Sequence, residues 1–291
     1  MQAGSPTGEV LTGVRRAAAC YSIPIENFSA RLAERTFPGF KISDEMEAVF
    51  EPGAGILAVE DCVRTYAQLA CQRGARLLLG AAVESWASED GVTRITMTSG
   101  ETHEAAALVL TPGAWASSLV GAGLAKVPVE VRRKVLLWNP VGAGCYSIDA
   151  GGVTFLFECP DGVFYGFPSM DGRTLKCGEH SRGELVIDPL LVDRSLRESD
   201  IAPVASFLGR HLTHVGLRPM RHAVCLYSMS PDGNFLVDRH PGHRNVFFGA
   251  GFSGHGFKFT SAIGEALADL ATMGSTDAPI GFLSLRRFAS R

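Results

Sequence analysis

The stretch from Phe248 to Leu267 reads FGAGFSGHGFKFTSAIGEAL, with small residues clustered ahead of one lysine and an apolar helical pattern behind it. Glycines at 249, 251, 254 and 256 let a backbone come close to something flat or bulky. Free backbone N–H groups at the start of the helix that follows can face an anion or a polarised carbonyl. His255 and Lys258 stand on this loop. A tight structural loop with a surface lysine explains the same residues. The loop is not a P-loop, because the GxxxxGK spacing is absent and Lys258 is followed by Phe259. The eight histidines show no metal-ligand spacing, so no metal is expected.

The elements that position such a loop are legible on either side. Residues 244–254 read as a strand running into the glycines, and 260–274 as a helix with Ile263, Leu267 and Leu270 on one side. Residues 60–74 make a second helix. Acidic residues open it, Val63, Tyr66, Leu69 and Ala70 line one face, and Gly74 stops it. Around that helix, residues 51–59 predict a turn and a short strand, 75–86 a strand, and 91–115 a strand, a turn and a strand. The ALVL run at 107–110 looks the most buried of these.

Residues 24–40 predict a short amphipathic helix stopped by Pro38-Gly39. From 128 to 180 the pattern alternates and carries β-branched and aromatic residues, with Asp-Gly turns at 161–162 and 171–172, as an antiparallel sheet requires. Residues 188–212 are mainly helical, and 221–241 return to strand. The fold class is α+β or α/β. An α/β part made of about 50–130 and 240–291 interleaves with a sheet-rich part made of 1–49 and 131–239.

Bulk properties limit the function. A length of 291 residues buries a large core, and the hydrophobic content of 46% is that of a globular protein. A net charge of −3 gives no electrostatic basis for binding nucleic acid or an anionic membrane. No run of 18 apolar residues marks a transmembrane span, and the first 21 residues do not read as a signal peptide. Seven cysteines, an odd number with wide spacing and no CxxC, are expected as reduced, mostly buried thiols in a cytoplasmic protein.

Five segments in order, 49–70, LTPGAW at 110–115, 162–180, 221–241 and the glycine loop, resemble the monomeric sarcosine oxidase and N-methyltryptophan oxidase family. These are FAD-dependent amine oxidoreductases related to D-amino-acid oxidase. The resemblance runs from roughly residue 10 to 290. It implies a Rossmann-like FAD-binding domain interleaved with an antiparallel-sheet substrate domain. The implied reaction oxidises a secondary or N-methyl amino acid to an imine, with O2 reduced to hydrogen peroxide.

By that resemblance Cys225 carries the flavin through a thioether; a buried strand cysteine is the plain alternative. Lys176 matches a lysine above the flavin face that stabilises charge as O2 is reduced, and read alone it is equally a strand-edge lysine. His180 and His255 match histidines near flavin and substrate. Lys258 matches the residue that pairs with the substrate carboxylate, and Tyr165 and Tyr227 match tyrosines lining the amine pocket, although either could be ordinary core. Gly113, Trp115, Gly251, Gly254 and Gly256 match segments passing close to the cofactor, and Val83 a position near its adenine end.

The family pattern opens with a βαβ unit carrying GxGxxG for the pyrophosphate and an acidic residue for the ribose. No complete GxGxxG follows an N-terminal strand here, and roughly 80–90 residues of that pattern have no counterpart. Three expectations follow: a truncated chain, a second polypeptide that supplies the dinucleotide-binding half, or a relative that no longer oxidises anything.

Overall fold

The structure is a computed structural model that describes residues 1–121 and 129–288. It has two compact units. The first comprises Met1–Ile56, Arg133–Glu184 and Val192–Cys225, and the second Leu57–Arg132, Leu185–Leu191 and Leu226–Arg291.

In the first unit the chain forms β1 (Gln2–Gly4), α1 (Glu9–Tyr21), β2 (Glu26–Ser29), α2 (Ala30–Thr36) and β3 (Glu47–Phe50). The predicted helix over 24–40 is therefore a short strand and a two-turn helix. Its end is as expected: Gly39 takes φ +102°, where Tyr146 fills the space a side chain would need. The chain returns as β8 (Glu130–Pro140), β9 (Phe155–Cys159), β10 (Gly162–Phe167) and β11 (Thr174–Glu179). Sheet order is β8-β11-β10-β9-β1-β3-β2. The Asp-Gly turns at 161–162 and 171–172 close the β9–β10 and β10–β11 hairpins. Pro128, the first residue of the expected strand, lies outside the described residues.

One face of this sheet is the core. Phe155, Phe157, Phe164, Leu175, Cys177 and Leu137 are buried against α5 (Glu198–His211), whose Phe207 stacks on Phe164 at 4.6 Å. Arg133 of β8 anchors the helix start, reaching Asp200 with two nitrogens at 2.7 and 3.0 Å. Residues 188–197, expected as helix, are not helical. Two further strands leave the unit: β12 (Glu184–Val186) begins at its edge, and β13 (Arg221–Met229) starts in it and pairs with β8.

The second unit holds α3 (Val59–Gln72), the meander β4 (Val83–Glu89), β5 (Val92–Met97) and β6 (Thr102–Ala105), then β7 (Leu108–Leu110) and the short α4 (Ala116–Leu119). It ends with β14 (Leu236–Arg239), β15 (Val246–Ala250) and α6 (Thr260–Met273). The central three-stranded sheet has the order β14-β15-β7, with β7 parallel to β15. Every residue of β15 is buried, whereas Val109 of β7 is 39% exposed. The most buried strand of the unit is thus β15, outside the 51–115 run; within that run β7 buries Leu110. Residues 51–58 and 75–82 form no strand; each contains one turn, at 52–53 and 79–80, and Leu77, Leu78 and Leu79 are exposed.

Helix α3 forms and stops where its signals say, with Gly74 at φ +93°. Its apolar face is not covered, because no residue of the helix is buried and Val63, Tyr66 and Leu69 are all exposed. The cysteines also depart from expectation. All seven are free thiols, but only Cys159 and Cys177 are buried, while Cys20 and Cys71 are exposed. Those two buried thiols are pushed up to about 11 and about 12 by desolvation.

Candidate active site

The candidate residues fall in both units. In the first unit, strand pairing arranges them in rows. Tyr165 is opposite Gly178, Phe167 is opposite Lys176, and Lys176 is opposite Trp138. Paired residues share a sheet face and alternate residues along a strand return to it. Tyr165, Phe167, Lys176, Gly178 and Trp138 therefore lie on the face away from the Phe164–Leu175–Leu137 core.

Lys176 sits in the interior of the sheet, not at its edge. Its ammonium lies 4.9 Å from the Phe167 ring centre and 5.5 Å from that of Trp138. Gly178 gives Tyr165 its place: a Cβ there would meet the tyrosine oxygen at 3.0 Å. The Tyr165 ring stands edge-on to Phe167 and to His180, at 6.2 and 6.3 Å.

His180 continues β11 and donates its backbone N–H to Val163 O at 2.7 Å. Its own carbonyl receives the Lys134 ammonium at 2.6 Å. Lys134 is a charged side chain only 4% exposed, and it also reaches a Glu179 carboxylate oxygen at 3.4 Å. Cys225 is half-buried on β13. Burial raises its thiol above the ordinary range, and the Lys134 and Lys176 ammoniums pull it part of the way back.

In the second unit the glycine loop joins β15 to α6. Gly251 and Gly254 take φ +60° and +80°, so both occupy the left-handed region that favours glycine. A Cβ on Gly254 would meet the Tyr227 ring at 2.1 Å, and one on Gly256 would meet Phe252 at 2.6 Å. The flat group that these two glycines admit is an aromatic ring of this chain. Gly249, Gly251 and Gly254 do have G-x-G-x-x-G spacing between a strand and a helix, but the space at the third glycine is taken by Tyr227.

Tyr227 is buried, and Met229 bridges to Phe252 beside it. His255 Nδ1 lies 3.0 Å from Ser253 O, which places the proton on Nδ1, and its ring packs on Phe235 at 4.9 Å. Lys258 is an exposed residue, yet desolvation holds its ammonium below the ordinary lysine range. Gly113 takes φ +56° with open space where a Cβ would stand, and Trp115 next to it is 42% exposed. Val83 opens β4 at a β-bulge.

Sequence reasoning missed Trp138, Phe167, Lys134 and Arg221. The signal was present in strand alternation, since Phe167 is two residues from Tyr165, and Trp138 is four from Lys134. Among the described residues no group of three or more His, Cys, Asp or Glu side chains could hold a metal ion, and no helix is long and apolar enough to cross a membrane.

A mixed α/β fold with a lysine in the interior of an antiparallel sheet and a glycine loop running into a helix defines a class that the comparisons identify. Residues 6–270 match the family described as FAD dependent oxidoreductase (DAO), and the chain belongs to that family. It is 36% identical to a monomeric sarcosine oxidase from Bacillus sp. (strain NS-129) over 94% of this chain and 70% of that one. It is 33% identical to an N-methyl-L-tryptophan oxidase from Yersinia pestis (strain Pestoides F), over 98% and 75%. Its fold is similar to NikD, an amino acid oxidase essential for nikkomycin biosynthesis, with TM-score 0.81, 20% identity and coverage of 97% and 75%. Glycine oxidase from Geobacillus kaustophilus gives TM-score 0.77 at 19% identity, covering 98% and 74%. The cofactor of the family is FAD.

Proposed function

We propose that this protein oxidises the C–N bond of a secondary or N-methyl amino acid to an imine, with O2 taken to hydrogen peroxide. The balance is one amine plus O2 giving one imine plus H2O2, and water then hydrolyses the imine. The observation that carries the reading is the row of residues on the open face of the first unit's sheet. There a lysine without a carboxylate partner among the described residues shares a sheet face with Tyr165, whose ring meets His180.

The residues present fit a flavin ring. Cys225 is a half-buried thiol on β13 that would supply the sulfur for attachment to an electrophilic ring carbon; burial raises its pKa, and the Lys134 and Lys176 charges offset part of that rise. Gly113 leaves open space at a left-handed turn where backbone can approach a flat group. When bound, FAD supplies the two-electron redox chemistry. Lys176 supplies a fixed positive charge where negative charge develops on reduced oxygen. Tyr165 offers an aromatic wall that excludes water from the amine. Lys258 holds the substrate carboxylate; its lowered pKa reflects lost hydration that an anionic partner would restore. His180 and His255 orient and tune charge, and Gly251, Gly254 and Gly256 shape the wall that carries Tyr227. Trp115, whose ring is exposed, would pass close to the cofactor, and Val83 would lie toward its adenine end.

The test is a panel of sarcosine, N-methyltryptophan, proline and pipecolate, with glycine and alanine as primary amines, assayed for peroxide with the FAD-loaded protein. Turnover of at least one secondary amine is expected, with Lys258→Met raising KM at least tenfold. Peroxide formed only from primary amino acids would overturn the reading. The uncovered face of α3 favours a second reading, in which another polypeptide supplies the dinucleotide-binding half. FAD binding by the purified chain alone would exclude it.

A further inference from the structure

Four adjacent strands place aromatic rings and cations in alternation. Phe167 on β10 is paired with Lys176 on β11, and Lys176 with Trp138 on β8. Beyond Trp138 comes Arg221 on β13, beside it because Met220 N–H donates to Trp138 O at 2.8 Å. The Lys176 ammonium lies 4.9 and 5.5 Å from the two ring centres that flank it. The Arg221 guanidinium carbon stands 3.9 Å from the Trp138 ring centre, a stacking distance.

We propose that Trp138 is the positioning residue that holds the Lys176 ammonium in place, with Arg221 stacked on the same indole to fix the ring. A lysine head on a four-carbon stem is mobile unless something holds it. A carboxylate would hold it and also cancel its charge. Among the described residues no carboxylate pairs with Lys176, whereas six other ion pairs belong to the same unit's arginines and one to Lys134. Aromatic faces hold a cation through the ring quadrupole and leave its net charge intact. That is what a lysine needs if it is to stabilise negative charge on another molecule. The consequence for O2 rests on the proposed function; the holding itself does not.

The sequence has five lysines, so each is resolvable after reductive methylation with 13C-formaldehyde. The dimethyl-lysine signals are read by 1H–13C NMR on the full chain, and Lys176→Arg identifies its own peak by loss. Methyl groups beside two rings are expected to resonate upfield of the other lysines. Trp138→Leu should collapse about half of that shift, the rest coming from Phe167, Arg221→Met should collapse a smaller part, and Trp138→Phe should retain most. A Lys176 signal without an upfield shift in the parent protein would overturn the proposal. So would a shift unchanged by Trp138→Leu in a variant that still melts cooperatively.

A second reading uses the FAD-loaded protein in stopped flow. Trp138→Leu is expected to slow reoxidation by O2 about tenfold while leaving reduction by amine within about twofold. If the NMR shift behaves as expected and reoxidation does not change, Trp138 still positions Lys176, and it is the role of Lys176 toward oxygen that fails.

Discussion

Strand β11 and helix α3 carry equally regular apolar patterns, and only one of them is buried. In β11 the alternate residues Leu175 and Cys177 are 1% and 0% exposed, sealed by Phe164, Phe207 and their neighbours. In α3 the matching stripe of Val63, Tyr66 and Leu69 is 54%, 53% and 40% exposed. A pattern shows which face burial would reward. It does not show that a covering element is there. The curated relatives are longer than this chain, which spans 70% of one and 75% of another.

The contrast can be broken first where it is strongest. Phe207→Ala removes a ring that packs on Phe155, Phe157, Phe164 and His211, and should cost about 3–5 kcal/mol in chemical denaturation. The same measurement on Val63→Glu should move stability by no more than about 0.5 kcal/mol. That variant should also bind less of a hydrophobic dye, because it interrupts an apolar surface. A large loss from Val63→Glu would mean that the face is covered in solution.

Arg133→Met should rank just below Phe207→Ala, at about 3 kcal/mol, since it strands the Asp200 carboxylate against a buried helix start. Burial pushes the Asp200 pKa up, but the Arg133 bonds and the Arg197 N–H outweigh it, and the net shift is downward. A carboxyl whose folded pKa is depressed adds stability above its unfolded pKa and loses it as pH falls toward the folded one. Stability should therefore decline below about pH 4, and Arg133→Met should flatten that decline in a pH series of denaturant midpoints.

Gly254→Ala comes next. The residue would be forced to keep φ +80° and its Cβ would meet the Tyr227 ring, so about 1–3 kcal/mol is expected, with Tyr227 displaced. Gly264→Ala, on α6 with nothing within 4 Å of its Cβ, is the matched control and should stabilise slightly.

The parts of the molecule that obey a short repeat were legible in the sequence. The β9–β10–β11 hairpins followed from alternation and two Asp-Gly turns, and both α3 and α6 start and stop near their signals. Segments without a strong repeat were not: 75–82 reads as strand because three leucines sit together, and the structure leaves them exposed. The site was legible as residue types along the chain, whereas the Phe167–Lys176–Trp138–Arg221 row was not. A row depends on register between strands, and register is set by turns and packing that no single strand records. The glycine loop shows the same limit. Its flexibility is evident in the glycines, but Tyr227 and Phe252 occupy the space through packing that the loop's own residues do not record.

The central claim is that these residues serve a bound flavin. The most direct measurement is the visible spectrum of the purified chain after incubation with FAD, taken before and after acid precipitation, on the parent and on Cys225→Ser. A band near about 450 nm that stays with the precipitated parent protein and washes out of Cys225→Ser is expected. A chain that remains colourless after FAD, while folded by its cooperative melt, would contradict it.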